Sequence, residues 1–365
     1  MRKLNLFVSI ACCAVFFFHS AQVQACTGIK VQATDGSVTF ARTMEFGSPL
    51  KSNILLVPKG QKWSGNTPDT GYAWENNYAF LGPNAFDQNM FVEGMNEKGL
   101  YIGAFWFPEN AKYPEFTKSE ASKSVAPEMI SALILGTCAT IEDVRNKLQE
   151  IKIVNVEYKP LKMVLPLHWI VLDQKGNAIV IEPLSKEAPP EVMKNKVGVF
   201  TNSPQFTWHL QNLSTYVNLT PVNVESQKIN GLTVEGTGEG SGMLGLPGDL
   251  TPPSRFIRAA LYSNAAEKVT DADAAVNQAM MLINNISIAK GLAVAPKTDA
   301  VADYTQWTMV YDFKALKCYF RTYNNQNFNI VDLKKFLSTQ PDKKIKTVPM
   351  WDTKPDYKDV TQTAQ

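Results

Sequence analysis

The sequence predicts an α+β fold in which antiparallel sheets are covered by helices. Three observations support this prediction: strand patterns occur as hairpins, helical patterns occur in two pairs, and no linker or repeat interrupts residues 26–340. Hairpin runs separated by helical pairs favour antiparallel sheets, because parallel sheets need alternating strands and helices. We therefore expect a single domain over residues 26–365, with a polar, loosely held tail after Lys334.

The first half of this region is rich in strand patterns. An Asp35-Gly36 turn between two apolar segments is a strong hairpin signal, so the chain enters a sheet soon after Cys26. The predicted strands of this half are residues 29–31, 38–40, 53–57, 77–81, 90–93 and 100–105.

The predicted helices are residues 126–135, 141–151, 254–266 and 271–285. Thr140 and Asp143 have the spacing of a capping box at the start of the second helix. Later strands are predicted at residues 168–172, 178–181, 197–201, 305–313 and 316–322.

Residues 1–25 have the pattern of a cleaved secretory signal peptide. Arg2 and Lys3 precede an apolar run over residues 4–18, and Val23-Gln24-Ala25 provides small residues at a cleavage site. The apolar run is shorter than the roughly 20 residues that span a bilayer. We expect a periplasmic or secreted protein that has no membrane partner after cleavage.

Charge and composition exclude several function classes. Removing Arg2 and Lys3 from the 36 basic residues leaves 34, equal to the 34 acidic residues. A neutral chain lacks the basic surface typical of nucleic-acid binding. Only His168 and His209 remain after residue 25, and no CxxC or HExxH motif occurs, so we expect neither a metal nor a cofactor.

Cys26 is the candidate nucleophile. Cleavage after Ala25 would leave its thiol beside an α-amine, whose pKa is ordinarily about 8. Such an amine can accept the thiol proton near neutral pH, so one residue supplies both nucleophile and base. Cys138 and Cys318 are expected to be buried in the core, although they are the one pair that could form a disulfide.

Two alternatives remain open at this point. Lipidation of Cys26 would block the amine and would indicate a tethered or secreted binding protein without enzymatic activity. A papain-like protease would instead pair Cys138 or Cys318 with one of the two histidines, but no flanking signature supports that arrangement.

Motifs in six parts of the chain resemble the choloylglycine hydrolase and penicillin V acylase family. They are Cys26-Thr27-Gly28, Ala41-Arg42-Thr43-Met44-Glu45-Phe46, Glu93-Gly94-Met95-Asn96-Glu97-Lys98-Gly99-Leu100, Thr201-Asn202-Ser203-Pro204, Gly245-Leu246-Pro247-Gly248-Asp249 through Ser254-Arg255-Phe256, and Thr305-Gln306-Trp307-Thr308. Each is weak alone, but together they are specific and follow the family order. The resemblance implies an αββα four-layer sandwich of N-terminal-nucleophile hydrolases, hydrolysis of a linear amide, and a homotetramer.

The resemblance also implies roles for individual residues. Cys26 would attack the amide carbonyl and form a thioester, and Arg42 beside the sulfur would lower the thiol pKa. Glu45 stands where the family usually has Asp, and its carboxylate would hydrogen-bond the Cys26 amine.

Two further residues would act on the developing charge. The Asn202 side-chain amide would donate to the oxyanion together with a backbone N–H near Trp106. Arg255 would stabilise charge as the intermediate forms.

The substrate is expected to be a small-molecule amide held by apolar side chains near Cys26. The candidate pocket residues are Met44, Phe46, Phe105 and Trp106. Penicillin V, conjugated bile salts and N-acyl homoserine lactones remain alternatives. Trp106 stands where bile salt hydrolases often have a smaller polar residue, which slightly disfavours bile salts.

Overall fold

The computed structural model describes residues 25–294, 302–339, 344–351 and 354–363. All of the expected signal segment except Ala25 therefore lies outside the described residues. Within the described ranges, no helix combines the length and apolar character needed to cross a membrane.

The described chain contains 22 strands and six α-helices. The strands are β1 (Cys26–Gln32), β2 (Val38–Phe46), β3 (Ile54–Val57), β4 (Lys62–Ser64), β5 (Ala73–Glu75), β6 (Phe80–Ala85), β7 (Gln88–Phe91), β8 (Glu93–Asn96), β9 (Tyr101–Trp106), β10 (Ser124–Val125), β11 (Lys152–Ile153), β12 (Leu167–Leu172), β13 (Ala178–Glu182), β14 (Glu191–Lys194), β15 (Val199–Phe200), β16 (Gln227–Ile229), β17 (Leu232–Val234), β18 (Ala293–Val294), β19 (Ala302–Asp312), β20 (Lys317–Thr322), β21 (Asn329–Asp332) and β22 (Lys346–Val348). The helices are α1 (Ile130–Thr137), α2 (Ile141–Glu150), α3 (Phe206–Leu213), α4 (Pro252–Ala265), α5 (Ala272–Asn284) and α6 (Leu333–Ser338).

Two large antiparallel sheets form the centre of the fold. The seven-stranded sheet has the order β15-β1-β2-β19-β20-β21, with β18 beside β19. The nine-stranded sheet has the order β14-β13-β12-β9-β8-β6-β3-β22, with β7 beside β6. The predicted antiparallel pairing is confirmed, and β1 pairs with β2 across the expected Asp35-Gly36 turn.

The two sheets pack face to face and each carries helices on its outer face. Between the sheets, the Phe40 ring lies 4.8 Å from the Tyr101 ring, which in turn lies 5.0 Å from Tyr311. Helices α4 and α5 pack on β1 and β2, while α1 packs on β8 and β9. All nine residues of β2 are buried, because the strand is covered on both faces. These layers confirm the αββα sandwich.

The four predicted helices are present, and Thr140 caps α2 through the expected capping box with Asp143. Helices α3 and α6, of eight and six residues, were not predicted. Cys138 and Cys318 are both buried free thiols. The core burial expected for them is confirmed.

The tail does not remain separate from the domain. Strand β22 pairs with β3, and Met350 just beyond it is buried. A loosely held tail is therefore the wrong description for residues 346–350, because they add a strand to the nine-stranded sheet.

Candidate active site

The candidate site lies where β1 begins and β2 ends, facing the nine-stranded sheet. The register of these strands places Cys26 opposite Met44 and Gly28 opposite Arg42. Side chains alternate across a strand, so Arg42 and Met44 face one way and Glu45 faces the other. Cys26 is almost fully buried at this junction.

Arg42 is fixed beside the Cys26 sulfur. Its Nη2 lies 3.4 Å from Sγ and donates to the Ala104 carbonyl at 2.7 Å, while Nη1 donates to the Val92 carbonyl at 3.2 Å. The guanidinium also lies 4.1 Å above the Phe105 ring. These contacts hold the cation in one orientation toward the thiol.

Burial raises the pKa of the Cys26 thiol above its usual value, and the Arg42 charge opposes this shift without overcoming it. The thiol is therefore protonated at neutral pH in this chain. Nucleophilic attack by this sulfur requires a base that removes its proton.

The backbone of Cys26 is held on both sides of its Cα atom. Its N–H donates to Asn202 Oδ1 at 2.6 Å, and its carbonyl accepts from Thr201 Oγ1 at 2.8 Å and Arg255 Nη1 at 2.7 Å. Arg255 Nη2 also donates to Asn202 Oδ1 at 3.0 Å. These contacts bring Asn202 and Arg255 to Cys26, as the motifs predicted.

Glu45 is close to this group but does not make the expected contact. Its carboxylate accepts from Thr305 at 2.6 Å and Thr43 at 3.1 Å, while Cys26 N bonds to Asn202 instead. With Ala25 attached, Cys26 N is a peptide nitrogen with one proton, and the Ala25 carbonyl accepts from Glu45 N at 3.0 Å. Burial raises the Glu45 pKa to about 7, against the attraction of Arg255.

The Asn202 side chain retains a donor for an anion. Nδ2 donates to the Trp106 carbonyl at 3.0 Å. Because a side-chain amide carries two protons, this bond leaves the second one available to an oxyanion.

An apolar pocket opens beside the thiol. Met44 Sδ lies 3.6 Å from Cys26 Sγ, and the Phe46 and Trp106 rings meet edge to face at 6.3 Å. The pocket is lined by Cys26, Met44, Phe46, Leu50, Ala85, Phe86, Met90, Val92, Ala104, Trp106, Leu161, Leu165 and Leu167. Three of the four predicted pocket residues are in place.

Phe105 is the exception, and its predicted role in the pocket is wrong. Neighbouring residues on β9 point to opposite faces, so Ala104 and Trp106 reach the pocket while Phe105 does not. Its ring instead packs under Arg42 and 4.9 Å from Phe200.

Glu93 begins one of the motifs, but its sequence context predicted no role for it. Glu93 is fully buried, and one carboxyl oxygen accepts from the Tyr101 hydroxyl. Burial raises its pKa to about 7, while the nearby Arg42 charge acts in the opposite direction. Glu93 thus adds a buried carboxyl whose charge acts on the Arg42 guanidinium without a hydrogen bond between them, a relation that only the tertiary structure reveals.

The model of the linear amide C–N hydrolases, choloylglycine hydrolase family, matches residues 26–344. The bile salt hydrolase/transferase of Lactiplantibacillus plantarum is 32% identical over 314 residues, or 84% of this chain and 92% of that protein. The penicillin V acylase of Pectobacterium atrosepticum is 26% identical over 313 residues, or 81% and 77%. The crystal structure of a mutant conjugated bile acid hydrolase from Clostridium perfringens covers 92% of this chain and 100% of that one, at 28% identity and TM-score 0.81.

The fold and these similarities define an enzyme of the N-terminal-nucleophile hydrolase fold that acts on linear amide C–N bonds. The chain belongs to the choloylglycine hydrolase family, as its motifs indicated. The interpretation as a binding protein without enzymatic activity is thereby superseded.

The raised pKa of Glu93 gives a testable dependence of stability on pH. Between pH 4.5 and 7 the folded chain keeps a proton that the unfolded chain has lost, so this stabilisation is complete below pH 4.5 and disappears as pH rises through 7. The free energy of unfolding of the wild type minus that of Glu93→Gln should therefore fall by roughly 2 kcal/mol from pH 5 to pH 8. Urea unfolding at several pH values measures it, with Glu75→Gln, an exposed site, as the control. A difference that does not vary with pH would contradict the assignment.

Proposed function

We propose that this enzyme hydrolyses a small-molecule amide with an apolar acyl group, through a thioester on Cys26. The observation that carries the proposal is the position of the Cys26 thiol, 3.4 Å from Arg42 and at the edge of a pocket lined only by apolar side chains and its own sulfur. A nucleophile, a fixed cation and an acyl pocket therefore meet at one atom.

The reaction needs the bond between Ala25 and Cys26 to be cleaved first. Cleavage removes the Ala25 carbonyl from Glu45 N and converts Cys26 N into an α-amine. The amine supplies the base that the protonated thiol requires. The signal segment and the periplasmic or secreted location belong to this proposal, and lipidation of Cys26 is the outcome that would exclude the mechanism.

In the proposed mechanism, the amine accepts the thiol proton as Sγ bonds to the amide carbonyl carbon. The free proton of Asn202 Nδ2 stabilises the oxyanion, and one such donor contributes roughly 3–4 kcal/mol. The C–N bond then breaks, and the leaving amine takes up the proton. Water attacks the thioester with the same α-amine as base, which releases the carboxylic acid and restores the thiol.

The pocket favours acyl groups without polar substituents. Leu161, Leu165 and Leu167 line it together with Phe46 and Trp106, and among these five side chains only the Trp106 indole N–H could bond a hydroxyl. Burying an unpaired hydroxyl costs roughly 1–3 kcal/mol. Among the three substrate classes, this supports phenoxyacetyl and fatty acyl amides, found in penicillin V and acyl homoserine lactones, over hydroxylated bile acids.

Replacing the nucleophile tests the mechanism directly. Cys26→Ser should lose nearly all turnover of penicillin V, an acyl homoserine lactone and glycocholate, because a hydroxyl is a much poorer nucleophile at neutral pH. Hydrolysis assays measure turnover, and intact-mass analysis establishes that both proteins begin at residue 26. Cys138→Ser is the matched control. Retained turnover in Cys26→Ser would exclude the thioester.

Glu45→Gln tests whether the Glu45 carboxylate contributes to the reactivity of the Cys26 α-amine. Loss of the carboxylate should lower kcat about tenfold or more and leave KM nearly unchanged, because Glu45 acts on the nucleophile rather than on the substrate. Steady-state kinetics on the best substrate of the panel measure both constants. An unchanged kcat would assign Glu45 a structural role.

Self-association as a homotetramer also belongs to the proposal. The segment from Val217 to Leu244 exposes several apolar side chains, among them Ile229 and Leu232 of the β16–β17 hairpin at 56% and 69% exposure. Both strands of this hairpin are exposed along their whole length. A second copy of the chain would cover such a patch, since exposed apolar clusters mark contact surfaces.

The double variant Ile229→Lys, Leu232→Lys should therefore shift the protein from tetramer to smaller species. Light scattering after size-exclusion chromatography measures the mass. Met281→Lys, at an exposed methionine of α5, is the matched control and should leave the mass unchanged. A monomeric wild type, or a tetrameric double variant, would contradict the role of the hairpin.

A further inference from the structure

Two buried histidines hold consecutive backbone carbonyls behind the site. His168 Nε2 lies 2.9 Å from the Thr201 carbonyl oxygen, and His209 Nε2 lies 2.9 Å from the Asn202 carbonyl oxygen. Because a carbonyl oxygen only accepts, each Nε2 must carry a proton. These are the only two histidines after residue 25, and the proposed mechanism uses neither.

His209 makes this contact from helix α3. It is 2% exposed, and its ring stacks on Phe256 of α4 at 4.8 Å. Burial lowers its pKa to about 4, so the ring is neutral at physiological pH. Nε2 bonds the ring to the Asn202 carbonyl, while Nδ1 has no hydrogen-bond partner among the described residues.

His168 makes the equivalent contact from β12. Its ring stacks on Phe107 at 4.0 Å, and its Nδ1 lies 3.1 Å from Glu182 Oε1. The same Glu182 oxygen accepts from the backbone N–H of Phe206, the first residue of α3. Glu182 therefore links His168 to the helix that carries His209, so that both histidines belong to one buried assembly.

We infer that His168 and His209 are positioning residues for the Thr201-Asn202 segment. With both carbonyls held by imidazole N–H groups, the two side chains are directed to Cys26, where Thr201 Oγ1 donates to the carbonyl and Asn202 Oδ1 accepts from N. The same constraint aims Asn202 Nδ2 at the position of the oxyanion. This inference rests on the proposed function, because the histidines would position Asn202, which donates to the oxyanion in the proposed mechanism.

The test compares two amide side chains at position 209. Gln places its Nε2 near the position of the imidazole Nε2, whereas the shorter Asn does not reach the Asn202 carbonyl. His209→Gln should keep kcat within about threefold of the wild type, while His209→Asn lowers it 10- to 100-fold, since small misplacements of a catalytic group cost up to about 100-fold. KM should change less than twofold in both, because neither residue touches the acyl pocket.

His209→Phe and Leu210→Ala complete the set. The Phe ring can retain the stack on Phe256 but cannot donate a hydrogen bond, so His209→Phe should lower kcat as much as His209→Asn does. Leu210→Ala, on the same helix, should leave kcat unchanged. If His209→Phe fails to fold, the comparison of Gln with Asn decides.

Equal kcat in the Gln and Asn variants would overturn the inference, as would a loss expressed only in KM or in thermal stability. Failure of the proposed function is a separate result. It would appear as full turnover in Cys26→Ser, whatever the histidine variants show.

Discussion

The site depends on one buried cation that joins the two sheets. Arg42 extends from β2 of the seven-stranded sheet and donates to the carbonyls of Val92 and Ala104 in or beside the nine-stranded sheet. Burying a guanidinium is costly unless its protons are bonded and its charge is compensated. Two carbonyls accept from Nη1 and Nη2, the Phe105 ring lies under the guanidinium, and the Glu93 carboxyl acts on its charge, while Nε has no hydrogen-bond partner among the described residues. The hydrogen bonds that link the two sheets at this point therefore also fix the charge beside the Cys26 sulfur.

Local signals were sufficient for most of the fold. The Asp35-Gly36 turn and the Thr140 cap each report on a few neighbouring residues, so the hairpin and the helix could be predicted from sequence. Strand β2 shows the limit of such signals. Because it is buried on both faces, it carries apolar and charged residues without an alternation that tells which face meets the other sheet. Strand β9 is also buried almost throughout, so its sequence does not tell which face meets the pocket, and Phe105 was misplaced for this reason.

The site residues also fall into those that the sequence could predict and those that it could not. Cys26, Arg42, Asn202 and Arg255 could be named because motifs mark them, and the structure brings their side chains or backbone atoms together. The buried residues that hold these four in position could not be predicted. Among these residues are Glu93 and the two histidines. Their partners come from other strands and helices, so their roles are visible only in the tertiary structure. The α-amine of Cys26 removed the need for a histidine base, and the small number of histidines agreed with this but said nothing about backbone carbonyls.

The charges around Cys26 explain why an amine suits this pocket as the base. Two buried arginines, Arg42 and Arg255, face two buried carboxyls, Glu45 and Glu93, each with a pKa raised by burial to about 7. With both carboxyls ionised, the cluster is neutral while the thiol is protonated. Transfer of the thiol proton to an α-amine on the same residue creates a thiolate and an ammonium together, which leaves the net charge at zero. A proton lost to solvent would instead leave an uncompensated anion in a buried site, and burial raises the thiol pKa against that outcome. On the proposed mechanism, the residue that supplies the nucleophile must therefore also supply the base.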